Sequence, residues 1–171
     1  RTARQEIPHE GAHPNGTWAS NSAVTDGVHV VAFFGSRGLY CYDMEGNLQW
    51  QKDLGDMTIR LGFGEGSSPA LHDDRLIVNW DHEGQSFIVA LDKGIGEEIW
   101  RRERDEITSW TTPIIVEHDG RHQVITSATN RVRSYDLDTG ELIWEGGGVT
   151  MIAVPSPVAA EGIAYVTSGF M

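Results

Sequence analysis

Residues 135–144 read YDLDTGELIW, which predicts a strand, a tight turn and a returning strand. Residues 131–135 alternate polar and apolar side chains, as a half-buried strand does. Asp138 and Gly140 favour the turn, because Asp bonds its own backbone and Gly accepts a positive φ. The phrase recurs as LDKGIGEEIW at residues 91–100 and, one residue shorter, as YDMEGNLQW at residues 42–50. The chain is therefore predicted to be built from repeats.

The repeats have a regular length and a regular opening. Pro69, Pro113 and Pro157 follow one another at intervals of 44 residues, each at the start of a repeat. Four short apolar runs lie in each full repeat, which matches the period of a propeller blade. The predicted fold is an all-β propeller arc of three complete four-stranded blades, at about residues 17–57, 62–107 and 108–152, and a truncated fourth blade at 153–171.

Residues 1–16 contain Pro8, Pro14, Gly11 and Gly16 and show no hydrophobic pattern, so they are predicted to form an extended N-terminal arm. An arc of fewer than four blades leaves sheet faces and edges open. We therefore expect the missing surface to come from a homo-oligomer or from the remainder of a longer propeller chain. The arm could add an outer strand across the seam between such units.

The opening Ser/Thr-Pro-x-Val, the Asp-Gly turn and the closing Asp-x-x-Thr-Gly-x-x-x-Trp resemble the repeats of pyrroloquinoline-quinone-like β-propellers. That family includes quinoprotein alcohol dehydrogenases, outer-membrane assembly lipoproteins of the BamB type and many bacterial propellers of unknown activity. The resemblance implies a periplasmic or other extracytoplasmic location. The quinoprotein enzymes hold their quinone beside a pair of adjacent cysteines, and they hold calcium near a catalytic Asp. Because Cys41 is the one cysteine of this chain, no quinone cofactor is predicted.

Charge and hydropathy exclude two classes of partner. The chain has 13 Lys and Arg against 25 Asp and Glu, a formal charge of −12, which disfavours nucleic acid. The nearest basic cluster, Arg101, Arg102 and Arg104, alternates with acidic residues and is predicted to be a solvated charged face. No apolar run approaches the ~20 residues that a membrane-spanning helix needs.

Two groups of residues are candidates for binding zinc or calcium. His9, Glu10 and His13 spell the His-Glu-x-x-His pattern of metallohydrolases, in which a helix turns both imidazoles to one metal and Glu is the base. Pro8 and Gly11 disfavour such a helix, and a mobile or docked arm is the alternative explanation of these residues. The second group combines carboxylates and an imidazole in a predicted loop, where turn chemistry is the alternative. This group is Asp81, His82 and Glu83.

The tryptophans separate into two kinds. Trp50, Trp100 and Trp144 occupy the same position of each repeat and are predicted to pack between blades. Trp110 precedes the first strand of the third repeat, near the expected mouth of the central channel. It is the candidate for stacking on a planar cofactor or ligand, with core or rim packing as the alternative.

The predicted function is a non-catalytic scaffold or binding module for a protein, a glycan or a small ligand. No catalytic residue is predicted. Two enzyme hypotheses stay open beside it: a metal-dependent hydrolase that uses the His and carboxylate residues above, and a fragment of a quinone-dependent dehydrogenase. Fold alone does not decide among them.

Overall fold

The computed structural model describes residues 1–167 and 169 of the chain. They form antiparallel sheets, three of four strands and a fourth of two, and the strands of each sheet follow chain order. The predicted all-β arc is confirmed. The part of the predicted half blade at residues 168, 170 and 171 lies outside the described residues.

Each full blade is a meander of four strands. Blade 1 contains β1 (Val24–Thr25), β2 (His29–Phe33), β3 (Leu39–Asp43) and β4 (Leu48–Lys52). Blade 2 contains β5 (Ala70–His72), β6 (Arg75–Trp80), β7 (Ser86–Asp92) and β8 (Glu98–Arg104). Blade 3 contains β9 (Ile114–His118), β10 (Arg121–Ser127), β11 (Arg131–Asp136) and β12 (Leu142–Gly147). The two-stranded sheet contains β13 (Val158–Ala160) and β14 (Ile163–Tyr165), and short 3-10 turns cover Gly35–Arg37 and Arg60–Gly62.

The turn between the third and fourth strands is the one predicted at Asp138 and Gly140 in the closing phrase of the repeat. In blade 3, Asp136 Oδ1 accepts hydrogen bonds from the backbone N–H groups of Asp138 (3.1 Å) and Thr139 (2.8 Å). Gly140 follows at φ +70°, in the left-handed region that glycine enters without strain. In all three blades a shift in strand register lies just before this turn, at equivalent positions.

Neighbouring blades are joined by the same contact, which we call the tryptophan latch. Trp50 Nε1 donates to the Lys93 carbonyl of the next blade at 2.7 Å, and its ring lies against Gly96. Trp100 repeats both contacts with Leu137 O, at 2.9 Å, and with Gly140. A β-carbon added to Gly140 would come within 2.5 Å of the Trp100 ring, so the turn glycine is also required for close packing.

Trp144 differs from this prediction of interblade packing. Trp144 is 38% exposed, against 9% for Trp50 and 6% for Trp100. Its Nε1 donates to Gln123 Oε1 within its own blade, at 3.2 Å. The reason is that the two-stranded sheet, as described, has no turn equivalent to Gly96 or Gly140 to lie against this indole.

The first strands of neighbouring blades lie side by side at the centre of the arc, and a hydroxyl chain joins their entry points. The Ser22 backbone N–H donates to Ser68 Oγ (2.9 Å), the Ser68 N–H to Thr112 Oγ1 (3.1 Å) and the Thr112 N–H to Ser156 Oγ (2.9 Å). Three of these residues immediately precede the repeated prolines. The Ser/Thr-Pro opening thus ties each blade to the next one.

The arm adds no strand to the sheets of this chain, and a strand across a seam with another unit stays a prediction. All of residues 1–16 are described, and none of them lies in a strand or a helix. The arm instead runs along the irregular linker between blades 1 and 2, where the His13 N–H donates to Phe63 O at 3.0 Å. None of the helical turns in the described part of the chain has the length and apolar character that crossing a membrane requires.

Candidate functional site

A cavity of about 580 Å³ lies between the arm and blade 1. Its walls combine aromatic and other apolar side chains with charged groups, the combination that is typical of binding pockets. The apolar part includes Pro8, Trp18 and Phe34, and the charged part includes Arg4, Glu6, Arg37 and Glu65.

The arm that roofs the cavity is fixed by polar contacts with the linker. His9 Nε2 donates to Met57 O at 2.9 Å, and Glu10 Oε2 accepts from the Ile59 backbone N–H at 3.0 Å. Trp18 Nε1 donates to Glu10 O at 2.9 Å, while the residue remains 59% exposed. The indole is therefore held in place with much of its apolar surface available.

Glu65 forms the floor of the cavity. Its carboxylate accepts hydrogen bonds from the Ser36 N–H, at 2.7 Å, and from the Ser36 hydroxyl. Burial raises the pKa of Glu65 above its ordinary value, and the hydrogen bonds from Ser36 oppose that rise. Gly35, at φ +53°, has no space for a β-carbon beside this carboxylate. The floor is thus closely packed and polar.

The charged rim of the cavity holds the arm and blade 1 together. Arg37 NH1 lies 3.1 Å from Asp56 Oδ1, and Arg37 Nε lies 3.7 Å from Glu6 Oε1. Arg4 forms a further ion pair with Glu6. Both guanidinium groups are partly exposed, so they remain open to an additional carboxylate or carbonyl group.

The structure does not bring His9, Glu10 and His13 around a single point. Residues 9–13 are not helical, and their side chains have different partners. His9 Nε2 donates to Met57 O, and His13 Nδ1 accepts from the Asn15 backbone N–H. Glu10 accepts from the Ile59 backbone N–H. In the chain as described, no three His, Cys, Asp or Glu side chains form a metal-binding group. A zinc site in the arm stays a prediction, and the contacts agree with the docked-arm alternative.

Asp81, His82 and Glu83 also point to different partners. Asp81 is buried, whereas His82 Nδ1 accepts from the Thr58 N–H at 3.1 Å. Glu83 Oε1 accepts from the Thr108 hydroxyl at 2.9 Å. The three side chains therefore join the loop to the segments around it, as the turn alternative expects, and metal binding here stays a prediction.

Part of the charge run at residues 101–106 is buried, although the sequence predicts a solvated face. Arg104 and Asp81 have fully buried side chains, with Nε–Oδ1 at 2.8 Å and NH2–Oδ2 at 3.1 Å. Arg104 NH1 also donates to Thr126 Oγ1 (2.8 Å) and to Tyr135 Oη (3.0 Å). Burial alone would lower the pKa of Arg104, but the adjacent Asp81 carboxylate and Tyr135 raise it. The guanidinium therefore stays charged and joins blades 2 and 3.

Glu106 belongs to the same buried region. Its carboxylate accepts from the backbone N–H groups of Asn130 (2.8 Å) and Arg131 (3.0 Å) and from Arg133 NH1 (2.7 Å). Burial raises the pKa of Glu106, opposed by the hydrogen bond from Asn130 and by the charges of Arg104 and Arg133. Alternating charge in the sequence hid these residues: Arg104 at the end of β8 and Glu106 just after it are buried, whereas Glu103 and Asp105 beside them are exposed.

Trp110 lies beside the linker near the entry of blade 3. Its Nε1 donates to Gly64 O at 2.7 Å, and its backbone N–H donates to Ala153 O at 2.8 Å. The Phe63 ring is 6.4 Å away, and Trp110 packs against the apolar cluster between blades 1 and 2. These contacts agree with the packing alternative, and a role in binding a planar ligand stays a prediction.

The sequence did not identify Trp18, Arg37 or Glu65 as site residues. Trp18 and Arg37 lie in no motif, and the cavity forms only where the arm meets residues distant in the chain. The usable signal was the run of glycines at positions 62, 64 and 66, which marks an irregular linker between the first two repeats.

Comparison with known proteins agrees with the repeat pattern and the blade geometry. The family model described as outer membrane protein assembly factor BamB matches residues 8–169. The chain belongs to this family. None of the curated proteins matches the chain significantly.

Several solved structures share the fold of this BamB-family chain. BamB from Moraxella catarrhalis superimposes with a TM-score of 0.65 at 19% identity, over 87% of this chain and 46% of that one. A quinohemoprotein alcohol dehydrogenase from Comamonas testosteroni gives 0.55 at 19% identity, over 82% and 22%. A europium-containing methanol dehydrogenase gives 0.55 at 18% identity, over 74% and 24%. The chain thus spans less than half the length of each of these proteins.

The absence of a quinone cofactor stays a prediction, which rests on the pair of adjacent cysteines that the resemblance associates with that cofactor. Cys41 is the one cysteine, so an adjacent pair cannot form. Its side chain is fully buried between blades 1 and 2, and burial raises the pKa of its thiol to about 11. Cys41 is therefore a packing residue, as a buried free thiol usually is.

Proposed function

We propose that this chain is a non-catalytic β-propeller scaffold that binds an extended segment of a protein partner in the cavity under its arm. The single observation that supports this function is the wall chemistry of the cavity. Its aromatic surface is accessible at Trp18, whereas the polar groups of its floor are already hydrogen-bonded to one another. Such a surface favours binding over proton transfer to or from a substrate.

An extended peptide suits this site because the arm already lies along the linker in that form. The arm has neither strand nor helix, yet three backbone or side-chain hydrogen bonds hold it at Met57, Ile59 and Phe63. A second extended segment beside it would meet Phe34 and Trp18, and its carbonyl groups could accept from Arg4 and Arg37. Burying aromatic surface with a few charged contacts is the usual basis of peptide recognition.

The family description supports two further parts of the proposal. An outer membrane protein assembly factor acts outside the cytoplasm of a bacterium, so we place this chain in the periplasm or an equivalent extracytoplasmic space. Because the chain spans 46% of the BamB structure, we also propose that further blades complete the ring. These blades would come from a longer chain or from a second copy.

Peptide selection tests the cavity directly. A library of linear peptides displayed on phage is selected on the folded chain, and the enriched peptides are measured against wild type and Trp18→Ala. We expect affinity to fall by at least about tenfold in the variant, because a large aromatic contact is lost. Ile95→Ala, an exposed position on the blade 2 hairpin, is the matched control and should change nothing.

Three results would contradict the proposal. Selected peptides that bind Trp18→Ala as tightly as wild type would show that the cavity takes no part in the interaction. A glycan array could give binding that depends on Trp18 while peptides give none. Finally, one equivalent of bound zinc or calcium, lost in His9→Ala or His82→Ala together with hydrolytic activity, would favour the metal-dependent hydrolase.

A further inference from the structure

The charged groups around the cavity under the arm are unevenly satisfied. The carboxylates of Glu10 and Glu65 accept backbone N–H groups, and Glu65 also accepts the Ser36 hydroxyl. Within the described chain, the side chain of Arg37 makes both of its hydrogen bonds through NH1, to Asp56 Oδ1 at 3.1 Å and to Ser36 O at 3.3 Å. Arg37 Nε is buried and has no hydrogen-bond partner among the residues that the structure describes. The unused hydrogen-bonding capacity of the cavity is therefore that of a donor.

Glu6 on the arm lies beside this unused donor without satisfying it. Its Oε1 is 3.7 Å from Arg37 Nε, which is beyond hydrogen-bond distance, while its carboxylate forms a closer ion pair with Arg4. The side chain of Glu6 is 36% exposed, and residues 1–16 contain neither a strand nor a helix that would hold it. Glu6 thus stands where a carboxylate ligand of Arg37 would stand, and solvent is open to it if it is displaced.

Arg37 itself has a fixed position. It ends the 3-10 turn Gly35–Arg37, its backbone N–H donates to Phe34 O at 2.9 Å, and its carbonyl accepts from Tyr40 Oη at 3.0 Å. The rings of Phe34 and Tyr40 pack edge to face with their centroids 6.0 Å apart. A guanidinium group is therefore held beside an aromatic wall. Its Nε and NH2 form the planar fork that binds a carboxylate through two parallel hydrogen bonds.

We propose that Arg37 binds a carboxylate of the ligand in this cavity through its Nε edge, and that Glu6 competes with the ligand for this donor. The inference rests on the proposed function and adds the chemistry of the bound segment, which carries an apolar side chain for Trp18 and Phe34 and a carboxylate for Arg37. A carboxylate suits the fork better than a neutral carbonyl, because it accepts both N–H groups and its charge offsets that of the guanidinium. Either a chain terminus or an Asp or Glu side chain supplies such a group.

The test is an NMR titration of the folded chain with three acetylated probes. These are tyrosine with its free carboxylate, tyrosine amide, and a tyrosyl-glutamate dipeptide whose chain terminus is amidated. The indole N–H signal of Trp18 reports occupation of the cavity, and the Nε–H signal of Arg37 reports contact with a carboxylate. We expect at least one carboxylate probe to bind at least about tenfold more tightly than the amide and to shift both signals, because it gains charge-assisted hydrogen bonds. The probe that does so identifies the source of the carboxylate.

Variants on the two sides of the ion pair separate ligand binding from a role in holding the arm. Arg37→Gln should reduce the affinity for the carboxylate probe to that for the amide, and Arg37→Lys should restore only part of it, because lysine keeps the charge but lacks the fork. Glu6→Gln should instead raise the affinity by about two- to fivefold, the effect of losing a partly exposed competing ion pair. Arg101→Gln, which breaks a partly exposed ion pair on blade 2, is the control and should change nothing.

Opposite effects at Arg37 and Glu6 are decisive, because both variants break the same contact. If both lower the affinity, the pair only holds the arm and the proposal is wrong. Equal affinity of wild type for the carboxylate and amide probes would also overturn it, and this result does not depend on whether Arg37→Gln folds. If all three probes shift the Trp18 signal alike, carboxylate recognition fails while binding in the cavity stands. If no probe shifts it, the proposed function of the cavity is contradicted as well.

Discussion

Removing the carboxylate of Asp81 should destabilise the fold far more than removing any surface ion pair. In Asp81→Leu, the Arg104 guanidinium stays buried and loses both of its charged contacts. Ser109 Oγ and Asn79 Nδ2 lose their acceptor as well, at 2.7 and 3.0 Å. Leucine fills a similar volume, so the loss comes from charge and hydrogen bonding and not from a cavity.

The magnitude follows from the burial of the pair. Breaking a buried ion pair by removing one partner costs about 3–5 kcal/mol, because the other charge is left uncompensated. For a chain of this size each kcal/mol lowers the melting temperature by roughly 2–4 °C, so a fall of about 6–20 °C is expected. The double variant Asp81→Leu/Arg104→Met should recover part of that loss, since neither charge then remains buried.

Urea denaturation, followed by tryptophan fluorescence, measures Asp81→Leu, Arg104→Met and the double variant in one double-mutant cycle. The control is Glu98→Gln, which removes an ion pair with Arg101 that is about one-third exposed and is worth no more than about 1 kcal/mol. If Asp81→Leu costs no more than this control, or if the double variant is less stable than either single variant, the assignment of Arg104 as a buried charged link between blades is wrong.

Three further predictions concern packing and pH. Gly140→Val should lower the free energy of unfolding more than Gly120→Val does. Both glycines have positive φ, where valine adds about 1–3 kcal/mol of strain, but only a side chain at position 140 also meets the Trp100 ring. Thermal melting of both variants measures the difference. Trp100→Phe should lower the free energy of unfolding by about 1–3 kcal/mol, because the Leu137 carbonyl loses its donor. Trp144→Phe should lower it less. Equal losses for the two variants in urea denaturation would contradict the role of the tryptophan latch. Because burial raises the pKa of Glu65 in the folded state, the contribution of this carboxyl to stability is largest at low pH. That contribution falls as pH increases above 4.5, the ordinary pKa of Glu, and the melting temperature falls with it. Glu65→Gln should flatten this fall in melting temperature, and an unchanged pH profile would contradict the burial of the carboxyl.

The fold could be predicted from the sequence because its signals are local and repeated. The strands Arg75–Trp80 and Arg131–Asp136 have clear apolar alternation, and turn residues fix their ends. The register shift before each turn between the third and fourth strands could not be predicted, since it depends on how two strands pair. Trp144 was predicted to pack like Trp50 because the repeat carries it, but its exposure depends on the neighbour and not on its own segment.

The site was less predictable for a related reason. The motif at His9 and Glu10 drew attention to the arm, and the arm does roof the cavity, although its side chains cap the linker and do not converge. Glu65 and Arg104 carry no pattern that separates them from exposed charges. Their burial arises from contacts with Ser36 and Asp81, which depend on the completed fold.

The hydrogen bonds of the tryptophan latch and of the hydroxyl chain run in the same direction along the chain. In the tryptophan latch and in the hydroxyl chain, the donor belongs to the earlier blade and the acceptor to the later one, as in Trp50 to Lys93 and Ser22 to Ser68. During synthesis the earlier blade leaves the ribosome first, at a rate of about 5–20 residues per second. A blade of about 44 residues would therefore keep its N–H groups hydrated for several seconds, until the next one emerges and accepts them. Each blade of this design therefore completes its hydrogen bonds one step behind translation, when the turn of the following blade becomes available.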